Sequence, residues 1–174
     1  ALFAGTQSGE GQVWAVPVRQ LLRTLSGSAE PVRRLRQDAQ GRLLVVGQWK
    51  DDVQAGFPCR IRVWNVADWQ EQESWMVPGI GLVYAVSPEG RWLATGHGYG
   101  PVQLRNLSGR SGTNAVPLAA GTVTDVTFSP DGRLLAASNQ EGTVKVWEVS
   151  TFRELTPPDF RAHHRSVWTL TFSP

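Results

Sequence analysis

Three histidines, one cysteine and a few paired charges are the side chains here that could do chemistry. His97 sits in the string GHGYG, Gly96 to Gly100. A glycine run can cradle a phosphate when a helix follows and its N-terminus adds positive character. No helical apolar period follows this one, so it reads as a flexible turn. His163 and His164 are adjacent, and neighbours on an extended chain point to opposite sides, so they make a poor metal pair. Asp51 and Asp52 are hard oxygen ligands, but their spacing fits no calcium loop. Cys59 precedes Arg60, and a nearby guanidinium can lower a thiol's pKa; a single cysteine opening a strand reads rather as a small buried apolar residue. The sequence holds neither a G-x-S-x-G elbow nor a phosphate-binding G-x-x-x-x-G-K-[ST] string. The expectation is a chain without catalytic residues, metal or cofactor.

Composition narrows the class further. The chain has 174 residues, is 41% apolar and 18% charged, and carries a formal net charge of +2. Its charges are evenly spread, so neither nucleic acid nor anionic lipid is expected as main partner. A lone cysteine excludes a disulfide framework. No apolar run reaches the roughly 18 residues of a membrane span, and no signal peptide is visible. These features suit a cytoplasmic protein.

The elements that must position any site are repeated. GRLLAASNQEGTVKVWEV (Gly132–Val149) is matched without a gap by GRWLATGHGYGPVQLRNL (Gly90–Leu107). GRLLVVG and CRIRVWNV (Gly41–Val66) match it around an insertion, and LFAGTQSGEGQVWAVPV (Leu2–Val18) matches with one extra residue. On this alignment the site of Trp147 is held by Val16, Trp64 and Arg105, at spacings of 48, 41 and 42. Gly41, Gly90 and Gly132 recur at spacings of 49 and 42. The period is the low-to-mid forties. Within each repeat the apolar period is two, and Pro-Glu-Gly and Pro-Asp-Gly mark tight turns at Pro88 and Pro130. The sequence predicts an all-β chain of about four short strands per repeat. Repeat equivalents span about 1–27, 28–76, 77–118 and 119–162, with a partial one at 163–174.

FSPDGRLLAASNQEGTVKVWEV resembles the WD-repeat, the unit of a β-propeller blade, and VYAVSPEGRWLATG and VWTLTFSP resemble the same unit. The resemblance covers essentially the whole chain. It implies four-stranded antiparallel blades, strands a to d, as part of a larger propeller. It also implies structural roles for Trp64, Trp147 and His163, and for Arg105 in place of a Trp. The family's Asp after the Trp is absent, and Ser28, Val77 and Ala119 stand where its His would be. Its His–Ser/Thr–Asp–Trp network is therefore incomplete in the interior blades. Arg33, Arg34 and Arg36 on a strand a either line a central channel or alternate between blades.

The resemblance places the a–b turns at Asp38–Gly41, Ser87–Gly90 and Ser129–Gly132. It places the b–c loops at Thr6–Gly11, Gln48–Pro58, Gly96–Pro101 and Asn139–Gly142. Gln48–Pro58 (QWKDDVQAGFP) is out of scale for a hairpin, and long loops carry function. Trp49 and Phe57, with Lys50, Asp51 and Asp52 between them, are candidate partner contacts, as are His97 and Tyr99; Trp49 folding back onto its own blade is the other reading. The function implied is a non-catalytic protein–protein interaction scaffold, or a sensor propeller of a larger protein whose catalytic domain lies elsewhere. Partners would be proteins or peptides. The chain opens at a strand b (Leu2–Gly5), continues through c (Val13–Val18) and d (Leu21–Leu25), and closes on a lone strand a (Val167–Phe172). Further blades from the same or another chain are expected beside it, with a segment of a longer propeller, a ring of two copies and a four-blade ring as the routes.

Overall fold

The computed structural model describes residues 1–16, 18–25, 29–49, 59–77, 83–97, 100–108, 113–116, 122–157 and 160–174. All regular structure among them is β. The first blade has three strands in the order β1 (Leu2–Gly5), β2 (Gly11–Ala15), β3 (Gln20–Leu25). The second is β4 (Val32–Gln37), β5 (Leu43–Trp49), β6 (Cys59–Asn65), β7 (Glu71–Val77). The third is β8 (Val83–Val86), β9 (Trp92–Gly96), β10 (Val102–Asn106), β11 (Thr113–Val116). The fourth is β12 (Val123–Phe128), β13 (Leu134–Asn139), β14 (Val144–Glu148), β15 (Arg153–Glu154). Every pairing is antiparallel between consecutive strands, as short turns require.

Turn chemistry sets the hairpins. Gly41, Gly90 and Gly132 take φ of 67°, 73° and 72°, left-handed values that glycine adopts without a Cβ penalty. Each closes the predicted a–b turn, and Gly90 and Gly132 donate to the Ser87 and Ser129 carbonyls at 2.8 and 2.9 Å.

The chain divides into two compact units, residues 1–37 with 41–78, and residues 38–40 with 79–174. In the second unit the core is a seam between blades. Val83, Ala94, Val102 and Leu104 of the third blade pack with Val126, Phe128, Leu135, Ala137 and Trp147 of the fourth. In the first unit Phe3 and Leu25 of the first blade meet Leu35, Val46 and Trp64 of the second. Within each unit the aliphatic trailing face of one blade thus meets the leading face of the next, which carries the strand c Trp.

The register corrects one expectation. Leu135 opposes Trp147, Leu44 opposes Trp64 and Leu93 opposes Arg105. In the first blade Leu2 opposes Trp14, so Trp14 and not Val16 holds the Trp site. Strand β2 ends at Ala15, short of the expected Val18, because the chain turns there, with Arg19 N–H reaching the Val16 carbonyl at 3.4 Å. The corners agree independently. Among the described residues the non-glycine residues of positive φ are Arg19, Trp69 and Phe152, each five places after Trp14, Trp64 and Trp147. Trp69 packs its ring on Phe3 (6.2 Å between centroids) and Phe152 on Trp92 (5.7 Å, edge-on). Aromatic packing on the preceding blade offsets a backbone state that disfavours bulky residues.

Residues 167–172 form no strand, contrary to expectation. Strand assignment needs a ladder, and the backbone contacts they make with the fourth blade are few. Val167 nevertheless starts where a strand a starts. Its N–H donates to the Asn139 carbonyl at 3.2 Å, as Val32 N–H donates to Thr6 at 3.0 Å. Thr124 Oγ1 and Ser138 Oγ both donate to the Val167 carbonyl, and Leu170 N–H donates to Asp125 Oδ2 at 2.9 Å.

Candidate interaction surface

The long b–c loop of the second blade has a fixed base. Trp49 and Cys59 are its last paired residues, and the Cys59 side chain is buried. Gln48, fully buried, donates from Nε2 to the Gly9 carbonyl at 2.7 Å and to the Glu30 carbonyl at 3.2 Å. A buried amide with good acceptors rigidifies its surroundings. It ties the loop stem to the equivalent loop of the first blade. That loop is itself closed by Thr6, whose N–H donates to the Glu10 carbonyl at 3.0 Å. Lys50, Asp51, Asp52 and Phe57 lie outside the described residues, as does Tyr99; Trp49 is described only in its backbone pairing.

His97 is described and half-buried. It begins the third blade's b–c turn, where the Gly100 N–H donates to its carbonyl at 3.4 Å. A Cβ on Gly100 would meet the His97 ring, so a larger residue there would require that ring to shift. Burial holds the imidazole below its ordinary pKa. Of the proposed contact residues the described ones are therefore His97 and the backbone of Trp49.

The structural residues fare differently. Trp147 and Trp64 are buried at equivalent positions. Arg105 keeps their register, half-buried. His163 has an exposed side chain; its contribution is a backbone N–H to the Gly142 carbonyl at 3.2 Å. The Trp64 indole N–H is buried without an acceptor among the described residues, and the Arg62 guanidinium stacks 4.7 Å from that ring. On β4, Arg33 and Arg36 are exposed while Arg34 is half-buried.

Sequence reasoning missed a cleft of about 610 Å³ beside the a–b turns of the third and fourth blades. Glu89, Arg91 and Trp92 form one wall, and Asp131, Arg133 and Glu148 stand on the other. The Arg91 guanidinium lies 5.4 Å from the Trp92 ring. Asp131 accepts from Ser129 Oγ at 2.6 Å and from the Arg133 N–H at 3.0 Å, and these bonds, the serine first, hold its carboxyl below the usual range. Glu148 accepts from Thr151 Oγ1 at 2.6 Å. These two carboxylates serve as turn caps, which suits recognition better than proton transfer. The repeated Ser-Pro-acid-Gly turns carried the signal for this wall. Among the described residues no three His, Cys, Asp or Glu side chains are placed to hold a metal ion. No described helix is long and apolar enough to cross a membrane.

Comparison with known proteins agrees with the architecture. The WD domain, G-beta repeat family matches residues 116–148. The "Protein LST8 homolog" of Drosophila melanogaster is 32% identical over 87 residues, which cover 47% of this chain and 28% of that protein. The chain thus spans under a third of the curated relative it matches.

Proposed function

We propose, from the premise that this is a chain of WD-repeat blades, that it is a non-catalytic protein–protein interaction scaffold whose principal contact is the second blade's b–c loop. WD repeats generally mediate protein–protein interaction. The observation that carries the reading is the fixed stem of an out-of-scale loop. Gln48 and Cys59 are buried at its two ends, while the sequence between them holds Trp49 and Phe57. A fixed stem lowers the ordering cost of binding, and aromatics with a polar rim make efficient anchors. Lys50, Asp51 and Asp52 supply the rim; His97 and Tyr99 give the third blade's loop a separate contact. A photo-crosslinking amino acid at position 57 should trap a discrete protein partner, whereas the same group at Arg133, on the cleft wall, should not. Equal trapping at both positions, or none at 57, rejects the assignment.

A further inference from the structure

Leu2, Leu44, Leu93 and Leu135 oppose the Trp site in their blades. Four places further on stand Thr6, Gln48, His97 and Asn139, where each b–c loop leaves strand b. Three of these side chains turn onto their own loop. Thr6 Oγ1 accepts from the Glu10 N–H at 3.0 Å. Asn139 Oδ1 accepts from the N–H groups of Glu141 at 3.1 Å and Thr143 at 2.9 Å. The His97 ring lies against Gly100. Gln48 instead reaches out of its blade, and its Nε2 donates to the Gly9 carbonyl in the loop of the first blade at 2.7 Å.

We propose that Gln48 is a positioning residue: it joins the b–c loops of the first and second blades into one contact surface, so that a partner held by the long loop also touches Gln7 and Ser8. The proposal rests on the reading of the long loop given above. The first-blade loop is tied to the second blade at two points. Its Thr6 carbonyl accepts the Val32 N–H at 3.0 Å, where β4 begins, and its Gly9 carbonyl accepts from Gln48. Gln7 and Ser8 lie between these two points with exposed side chains. An amide and a hydroxyl there fit a partner that offers hydrogen-bonding groups beside an apolar patch for Trp49 and Phe57. Loops held in place before binding lower the ordering cost of association.

The test puts a photo-crosslinking amino acid at Gln7 and, in a second protein, at position 57. It then compares the affinity of the unmodified chain and of Gln48→Asn for the protein trapped at 57. Asparagine keeps an amide at this place, as Asn139 does in the fourth blade, but is one methylene short of the Gly9 carbonyl. Gln48→Met keeps the length and loses the donor. The same protein is expected at both positions. Both variants, measured where they are fully folded, should bind it at least about fivefold more weakly, the effect of one hydrogen bond. Trapping at 57 but not at 7 overturns the joint surface and leaves the long-loop reading standing. Trapping at 7 alone, or at neither, rejects the long-loop reading and this inference with it. Unchanged affinity in both folded variants shows an amide that only stabilises the blades, and overturns the positioning role.

Discussion

Lys145 Nζ lies 2.8 Å from the Glu154 carboxylate on the adjoining strand, with side chains 16% and 30% exposed. Arg62 and Glu71 hold the same two register positions in the second blade, Nε to Oε2 at 3.0 Å. Each pair sits beside its blade's buried Trp and clamps strand c to strand d. Partial burial reduces solvent screening. A double-mutant cycle with Lys145→Met and Glu154→Gln should give a coupling of about 1 kcal/mol, the upper end for surface pairs. A coupling near zero would show that the pair is incidental.

Trp147 fills the seam between the third and fourth blades, and Trp64 the seam between the first and second. Trp→Ala at either should destabilise by about 3–5 kcal/mol, the usual range for emptying a buried aromatic site. Urea denaturation is the measurement. A loss under about 1 kcal/mol, typical of surface substitutions, is incompatible with the packing described.

Gly96 is required by close approach and not by backbone conformation. A Cβ built there comes within 2.5 Å of Val123 Cγ1, where strand a of the fourth blade begins. Gly96→Val should therefore destabilise by about 1–3 kcal/mol through overpacking. The double variant with Val123→Ala should recover part of the loss. An unchanged melting temperature in Gly96→Val would mean that the blades do not approach as described.

His97 gives the stability a pH dependence. Its folded pKa is lowered by desolvation, so the unfolded chain takes up the proton first as pH falls. Stability from this group is whole above the ordinary imidazole value of about 6.5 and declines as pH drops from there toward the lower folded value. His97→Gln should flatten the fall in melting temperature between pH of about 7.5 and 5.5. An identical slope in the two proteins would show that His97 is as solvated when folded as when unfolded.

Much of the fold was written in period-two alternation and in the glycine turns, which act locally and so can be read locally. The a–b turns at Gly41, Gly90 and Gly132 fell where expected. What misled was alignment near the start of the chain. Val16 was matched to Trp147 by allowing an extra residue, whereas Gly9 and Gly142, both at φ 86°, align the loops without one and put Trp14 on the site. The ion pairs were legible as a cation two places before Trp64 and Trp147, but their acids lie on strand d, whose register depends on turn geometry. The Ser-Pro-acid-Gly turns marked the cleft's walls, but the cleft itself was not legible, because those turns lie some forty residues apart and meet only once the blades pack. His163 was given a structural role from resemblance; its backbone N–H donates to the Gly142 carbonyl while its side chain is exposed.

The central claim is that the chain works by holding a protein through the Gln48–Pro58 loop. Its most direct test is the affinity for whichever protein crosslinks at position 57, measured with the unmodified chain and with Trp49→Ser/Phe57→Ser. The account predicts binding weakened at least about thirtyfold, the ~2 kcal/mol of a hot-spot aromatic, with a melting temperature within a few degrees of the original. Unchanged affinity, or a variant that no longer melts cooperatively, would contradict it.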